Sequence, residues 1–304
     1  MTLEQLRIFV AVAERQHVTR AAEALNLAQS AASAAIAALE SRHGTRLFHR
    51  VGRGIELTEA GRIFVEEAKA VLARAEAAEL TLAELAGLKR GTLSVQASQT
   101  IASYWLPRHL VAFRRTFPEI EVRLGIGNTA EAALAVREGA AELGFVEGAV
   151  DDPALASQTV ARDQLELVVG PEHEWAGIER LDPRDLARTE WVMREPGSGT
   201  RSEFESALER FGLAPRQLKV ALELPSNEAV RGAVEAGMGA AVISASVVSS
   251  SIEAGLLHRV RLDLPERAFH VLRHRERYHS LAAEALLKLI SDGGERAKRK
   301  RGKT

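Results

Sequence analysis

Residues 19–61 read TRAAEALNLAQSAASAAIAALESRHGTRLFHRVGRGIELTEAG, and their pattern sets the reading of the whole chain. Thr19-Arg20-Ala21-Ala22-Glu23 has the shape of a capping box and predicts a short helix running to Leu25. Asn26-Leu27 is a tight break. A further helix is expected from Gln29 to His43, ended by Gly44, whose missing Cβ suits a left-handed C-cap. RLFHRVGRGIELT then places β-branched and apolar residues on both sides of Gly52-Arg53-Gly54, the pattern of a small hairpin with a basic tip. Upstream, Leu3, Leu6, Phe9, Val10 and Ala13 recur at helical spacing. Three short helices and a hairpin are therefore predicted for residues 1–58.

Downstream, Glu59 to Leu88 holds no proline, and Phe64, Ala68, Val71, Ala75, Ala78, Leu82 and Leu85 alternate in steps of four and three. That is an a/d seam on one long helix, roughly 45 Å at about 1.5 Å per residue. Such a seam suits a dimerisation helix, with packing inside its own chain as the alternative. After Lys89-Arg90-Gly91 the pattern turns to alternating strands and helices in two similar runs, which imply two α/β lobes. LASQTVARDQLELVVGP reads as a linking region between them. The last ten residues, ERAKRKRGKT, hold six Lys or Arg and no apolar period, so residues 292–304 are expected to form a basic, disordered tail.

The segment opened on resembles the signature of LysR-type bacterial transcriptional regulators. The matching features are the Ala-Ala-x-x-Leu helix, Gln29-Ser30-Ala31-x-Ser33, Ile36, Leu39-Glu40, Gly44, Leu47-Phe48-x-Arg50 and Leu57-Thr58-Glu59-Ala60-Gly61. The order of segments after it fits the same family over nearly the whole chain. The resemblance implies an α/β protein with an N-terminal winged helix-turn-helix (1–58) and a long linker and dimerisation helix (59–90). It also implies a C-terminal two-lobe effector domain of the type 2 periplasmic-binding-protein kind (91–291), with lobe one at 91–162 plus 268–291 and lobe two at 163–267. Promoter DNA, a homodimer or homotetramer and RNA polymerase are the implied partners, in the cytoplasm.

The chemistry of the segment agrees. In a helix-turn-helix the N-terminal residues of the second helix meet base edges in the major groove. Gln29 can pair bidentately with adenine, Ser30 and Ser33 reach bases or phosphates, and Ala31 is small enough to approach a thymine methyl. Arg50 and Arg53 supply charge at the hairpin, and Arg53 suits a minor groove or a phosphate. One departure stands out: Ala34-Ala35 fill positions where many relatives carry a cationic side chain. Residues 1–58 hold seven Arg and five Glu, a balance of 7 − 5 = +2, so a modest salt dependence is expected.

REPGSGTR, Arg194–Arg201, joins an apolar run to a helical pattern and looks like an anion-holding loop. Ser98-Gln99-Thr100 takes the same place in lobe one. Ligands collect at the carboxyl ends of strands in open α/β sheets, where helix N-termini point N–H groups outward. Ser98, Gln99, Thr100, Ser198, Gly199, Thr200, Arg201 and Ser226 are accordingly the candidate effector-binding residues, with ordinary helix capping as the alternative, above all for Ser226 and for Asn128-Thr129. Resemblance of the lobes to regulators of sulfur, carbon-fixation and related inorganic-nutrient metabolism makes sulfate, sulfite or a small organic acid the expected effector. Tyr104 and Trp105 lie nearby and are expected to pack as aromatics.

Other functions find little support. The formal charge of −1 gives no global pull toward nucleic acid, and the absence of cysteine excludes disulfides and thiol chemistry. GSGT lacks the lysine of a phosphate-binding P-loop, and HExxH and G-x-S-x-G do not occur, so no enzyme, cofactor or metal site is expected. No apolar run reaches the ~18–20 residues of a membrane span, and the N-terminus lacks a signal-peptide pattern. A solute-binding receptor of the periplasmic type, without a DNA role, is the rival reading, because the C-terminal two-thirds resembles one.

Overall fold

The computed structural model describes residues 1–51, 54–85 and 91–301. Two compact units form, one built on Met1–Leu88 and the other on Lys89–Arg137 with Ala141–Thr304.

The first unit contains α1 (Leu3–Arg15), α2 (Val18–Ala24) and α3 (Gln29–His43), then β1 (Phe48–Val51), β2 (Gly54–Leu57) and α4 (Glu59–Leu85). Thr2 and Gln5 cap α1 reciprocally, each backbone N–H donating to the other's side chain. The cap of α2 corrects the sequence reading. His17 takes the N-cap, its Nδ1 accepting from Arg20 N at 3.4 Å, and Thr19 falls inside the first turn. Asn26 adopts a left-handed φ of 55° in the break, and Gly44 ends α3 at φ 61°. β1 and β2 pair antiparallel from Phe48↔Leu57 to Val51↔Gly54, which makes the hairpin.

The core of this unit gathers Leu6, Phe9, Val12, Ala22, Ile36, Leu39 and Phe48 with Val65 and Ala68 of α4. Phe9 is fully buried, with Phe48 and Phe64 rings at 5.4 and 5.0 Å. Burying one such ring contributes about 1.5–3 kcal/mol. The first part of the α4 seam, Phe64 and Ala68, therefore packs inside its own unit, while Val71 and Ala78 face solvent. The side chains of Leu82 and Leu85 lie outside the described residues.

The second unit runs β3 (Gly91–Ser98), a π-helical turn (Ile101–Trp105), α5 (Leu106–Thr116), β4 (Ile120–Gly127), α6 (Thr129–Glu138), β5 (Leu143–Glu147) and β6 (Leu155–Val169). It continues with β7 (Glu190–Arg194), α7 (Gly199–Arg210), β8 (Lys219–Leu224), α8 (Asn227–Glu235), β9 (Ala240–Ser244), α9 (Ala245–Glu253), β10 (His258–Val260), β11 (Glu266–His274) and α10 (Leu281–Arg301). One sheet orders these strands β4-β3-β5-β11-β6-β9-β7-β8, with β10 also on β6. β3 pairs parallel with β4 and β5, and β7 pairs parallel with β8 and β9. Antiparallel β6 and β11 join the two halves.

The supposed linking region is thus a fifteen-residue strand. Its first part pairs with β11 and its end, Leu165–Val169, with β9, so one strand serves both lobes. Each lobe has its own core: Leu93, Phe113, Phe145 and Leu286 in lobe one, Leu167, Trp191, Phe204 and Val242 in lobe two. Trp105 is buried in the first of these, against Phe145 and Phe269. α9 and β10 carry too weak a period for the sequence reading to find them. The tail is also corrected: α10 continues as helix to Arg301, through Glu, Arg, Ala and Lys residues of good helix propensity. Among the described residues no helix is long and apolar enough to cross a membrane, and no group of His, Asp or Glu is arranged to hold a metal ion.

Candidate DNA interface and inter-lobe site

The first turn of α3 is set by one buried and one exposed face. Ala32, Ile36 and Leu39 turn into the core, which leaves Gln29, Ser30 and Ala31 exposed and Ser33 half-buried. Gln29 Nε2 donates to Ser33 Oγ at 2.9 Å, so the two share one polar patch at the start of the helix. No side chain caps this end, because Ala28 occupies the N-cap; its free N–H groups point outward, as they do at phosphate-binding helix starts.

The hairpin is tied to α3 by Glu40, whose Oε1 accepts from the Leu47 and Phe48 amides at 2.7 and 3.1 Å. Thr58 caps α4 through Gly61 N at 3.0 Å and donates to the Arg46 carbonyl at 2.7 Å. A Cβ on Gly61 would stand 2.1 Å from the Leu47 carbonyl oxygen, so only glycine fits. The Leu57–Gly61 motif is therefore the seam that holds hairpin to helix. The Arg50 side chain and Arg53 lie outside the described residues.

At the junction of the two lobes the strand ends bring together polar groups far apart in sequence. Ser98, at the end of β3, is 2% exposed, and its Oγ has no hydrogen-bond partner among the described residues. Asn227, the first residue of α8, is wholly buried. Its Nδ2 donates to Thr100 Oγ1 at 3.0 Å, and its backbone N–H donates to Gln99 Oε1 at 2.6 Å. Arg194, at the end of β7, donates to Asn227 Oδ1 at 2.6 Å and grips the Glu195 carboxylate through Nε and Nη2 at 2.8 and 2.9 Å. Glu195 also accepts from Asn128 Nδ2 of lobe one at 3.4 Å. Burial alone would raise the Glu195 pKa, but the bonds and charge of Arg194, with its own backbone and Asn128, outweigh burial and hold it below the ordinary value.

A second buried guanidinium, Arg267, sits where β11 crosses between lobes. Its side chain is 0% exposed, and its cross-strand partner is Asp163. Nε donates to Asp163 Oδ2 at 2.8 Å, and Nη1 donates to Thr200 Oγ1 of α7 at 2.9 Å. Nη2 stands 2.7 Å from Asp163 Oδ2 and 3.9 Å from Glu147 Oε1 of β5, without a well-aligned acceptor. Thr129, first in α6, donates to the Glu147 carbonyl at 3.2 Å.

The glycines of REPGSGTR have separate reasons. Gly197 has a left-handed φ of 88°, and its carbonyl accepts from Ala130 N of lobe one at 3.2 Å. A Cβ on Gly199 would lie 2.6 Å from Thr129 Oγ1 and 2.7 Å from the Glu147 carbonyl, so the lobes meet here through the absence of a side chain.

Residues 86–294 match the family model of the LysR substrate binding domain, and residues 3–62 match the bacterial regulatory helix-turn-helix protein, lysR family. The chain belongs to the LysR family of bacterial transcriptional regulators. It is similar to a probable RuBisCO transcriptional regulator of Cyanophora paradoxa, 33% identical over 287 residues that cover 93% of this chain and 89% of that protein. It is also similar to the HTH-type transcriptional regulator YeiE of Escherichia coli, 32% identical over 94% of this chain and 96% of that one. Among solved structures, the LysR family regulator CbnR superposes with TM-score 0.71 at 23% identity, over 96% of this chain and 99% of that chain. The regulatory domain of Synechocystis CcmR in complex with 2-PG gives TM-score 0.61 at 26% identity, over 67% of this chain and 97% of that chain. This LysR regulator is thus a DNA-binding transcriptional regulator with an effector-binding domain, and the receptor alternative falls with the match at residues 3–62.

Of the residues anticipated for the regulator's effector site, Gln99 and Thr100 bond Asn227 of lobe two, Thr200 bonds Arg267, Gly199 lies against Thr129 and Glu147 of lobe one, and Ser98 and Ser198 are buried, the latter as the N-cap of α7. Two do not join them. Arg201 turns away to Glu205 and Glu223 at 2.8 and 2.5 Å; their pairing outweighs burial and raises its pKa. Ser226 spends its hydroxyl on capping α8, accepting from Ala229 N at 3.0 Å, as the bland reading allows. Sequence reading missed Arg194, Asn227 and Arg267. Arg194 opens the quoted loop and Asn227 begins a helix, so both carried a local signal. Arg267 sits in an unremarked strand and is found only by its partners. Tyr104 also departs from simple packing: its hydroxyl donates to Glu228 Oε1 of lobe two at 3.1 Å, and Gln99 donates to the same carboxylate at 3.0 Å. Burial first, then the Glu228 charge, raise the Tyr104 pKa.

Proposed function

We propose that this LysR regulator reads DNA through Gln29, Ser30, Ala31 and Ser33, with Arg50 and Arg53 at the hairpin. We propose further that its control lies in a small anion held between the lobes by Ser98, Gln99, Thr100, Ser198, Gly199 and Thr200. The observation that carries the effector reading is the buried Ser98 hydroxyl, without a partner among the described residues, two residues from Thr100, which Asn227 joins to the buried Arg194 guanidinium. A buried polar atom without a partner costs about 1–3 kcal/mol, and a ligand oxygen there would relieve that cost. The first turns of α6, α7 and α8 begin at the same junction and favour negative charge. The complex of CcmR with 2-PG supports a small ligand in this domain type, and the relatives' names support a role in carbon assimilation.

The mechanism is a population shift. An anion that binds one lobe closure better than another biases the equilibrium by that difference in affinity and no more. Dimers or tetramers formed through α4 convert the change into altered spacing of paired α3 helices on the promoter, within reach of RNA polymerase. The regulator acts in the cytoplasm and catalyses no reaction.

The test is a thermal-shift and calorimetric panel of sulfate, sulfite and 2-PG on the full chain. Ser98→Ala combined with Thr200→Val is expected to abolish ligand-induced stabilisation and leave DNA binding intact. Stabilisation that survives both substitutions would move the site away from the lobe junction.

A further inference from the structure

Both guanidinia that face the junction already hold carboxylates of the chain itself, and one of these carboxylates differs from the rest. Asp163 pairs with Arg267 across neighbouring strands, and Glu147 ends a central strand with its side chain 2% exposed; both belong to the sheet. Glu195 belongs to the loop after β7, with its side chain 21% exposed while its partner Arg194 is 5% exposed. It takes two bonds from Arg194 and one from Asn128, which brings a cation and a carboxamide from opposite lobes onto one carboxylate. That is the set of partners a bound oxyanion would recruit, since a guanidinium fork matches two oxygens of carboxylate, sulfate or phosphate alike.

We infer that Glu195 is a tethered competitor: its carboxylate occupies the anion position on Arg194 and Asn128, and a small oxyanion effector must displace it to bind. The inference rests on the effector reading above and adds the residue that sets its threshold. Glu195 lies on an exposed loop next to Pro196 and Gly197, so its side chain can swing to solvent without moving a strand. The displaced carboxylate regains hydration, and Arg194 keeps two oxygens. The exchange puts one oxyanion in place of another on Arg194, which makes the response depend on ligand concentration and ligand charge. While Glu195 remains close, an anion of higher charge meets more repulsion from it, so the tether costs a divalent ion more than a monovalent one.

The experiment titrates sulfate and nitrate into the full chain and follows binding by calorimetry, for the wild type, Glu195→Gln and Glu195→Ala. Removing the competing charge should tighten sulfate at least about tenfold and nitrate about threefold, because the repulsion removed scales with ligand charge. Asn128→Ala, which deletes the neutral partner only, should tighten neither. A merely structural role for Glu195 would leave the binding of both ions unchanged or weaken it on substitution. Three outcomes are decisive. Charge-graded tightening in both Glu195 variants supports the competitor. Sulfate binding that is abolished by Ser98→Ala with Thr200→Val, yet no tighter in the Glu195 variants, overturns the competitor and leaves the effector reading standing. Anions that bind neither wild type nor variant overturn the effector reading and the competitor with it.

Discussion

Replacing Arg267 by Met tests how much of the second unit rests on the buried cation where β11 crosses between the lobes. Met keeps the aliphatic bulk but leaves Asp163 and Glu147, with side chains 6% and 2% exposed, without their shared positive charge. It also removes the donor to Thr200 Oγ1, which ties α7 to the crossing strand. Breaking a buried ion pair from one side costs about 3–5 kcal/mol. At roughly 2–4 °C per kcal/mol for a domain of this size, the melting temperature should fall by about 6–20 °C. Intrinsic fluorescence makes a clean assay, because all three tryptophans, Trp105, Trp175 and Trp191, belong to the second unit. The double variant Arg267→Met, Asp163→Asn should recover part of the loss, since the most closely paired charge is then gone too. DNA binding by the first unit serves as the control. A fall under 2 °C (about 0.5–1 kcal/mol), or a double variant less stable than the single one, would refute the claim that charge pairing holds this strand crossing.

Two further perturbations address other elements. Arg53→Ala should weaken operator binding and lower the slope of log affinity against log salt by about one, measured by fluorescence anisotropy; an unchanged slope would take Arg53 off the DNA. His109 gives a pH test. Burial, helped by the neighbouring Arg108 charge, lowers its pKa from 6.5 to about 4. A depressed folded pKa means the unfolded chain takes up the proton first, so the stability contributed above pH 6.5 is lost as pH falls toward 4. After discounting for its partial exposure, the loss at pH 5 is about 1 kcal/mol. His109→Gln should therefore show a smaller drop in melting temperature between pH 7 and pH 5 than the wild type, and an equal drop would refute the assignment.

Much of the DNA-binding unit was legible because its signals are local. The apolar spacing of α1 and the left-handed Asn26 and Gly44 each depend on a few consecutive residues. The same holds for Ser198 and Gly199 at the start of α7. Thr19 shows the limit of this reading, since two residues with capping chemistry lay within one turn and His17 took the role. β6 shows another. A strand that serves two lobes alternates less cleanly than one with a single buried face, so its polar first half read as a linker.

Motif, period and cap are written within a turn or two of chain, and they carried the family, most of the elements and the loops at the strand ends of each lobe. Which charges those loops hold was decided by the tertiary structure. Thr100 meets Asn227 across 127 residues, and Arg267 meets Thr200 across 67, and no local pattern carries such separations. Arg194, Arg201 and Arg267 are the same chemistry in sequence. Burial and the nearest carboxylate bind the first to Glu195, send the second outward to Glu205 and Glu223, and lock the third to Asp163 where β11 crosses between the lobes.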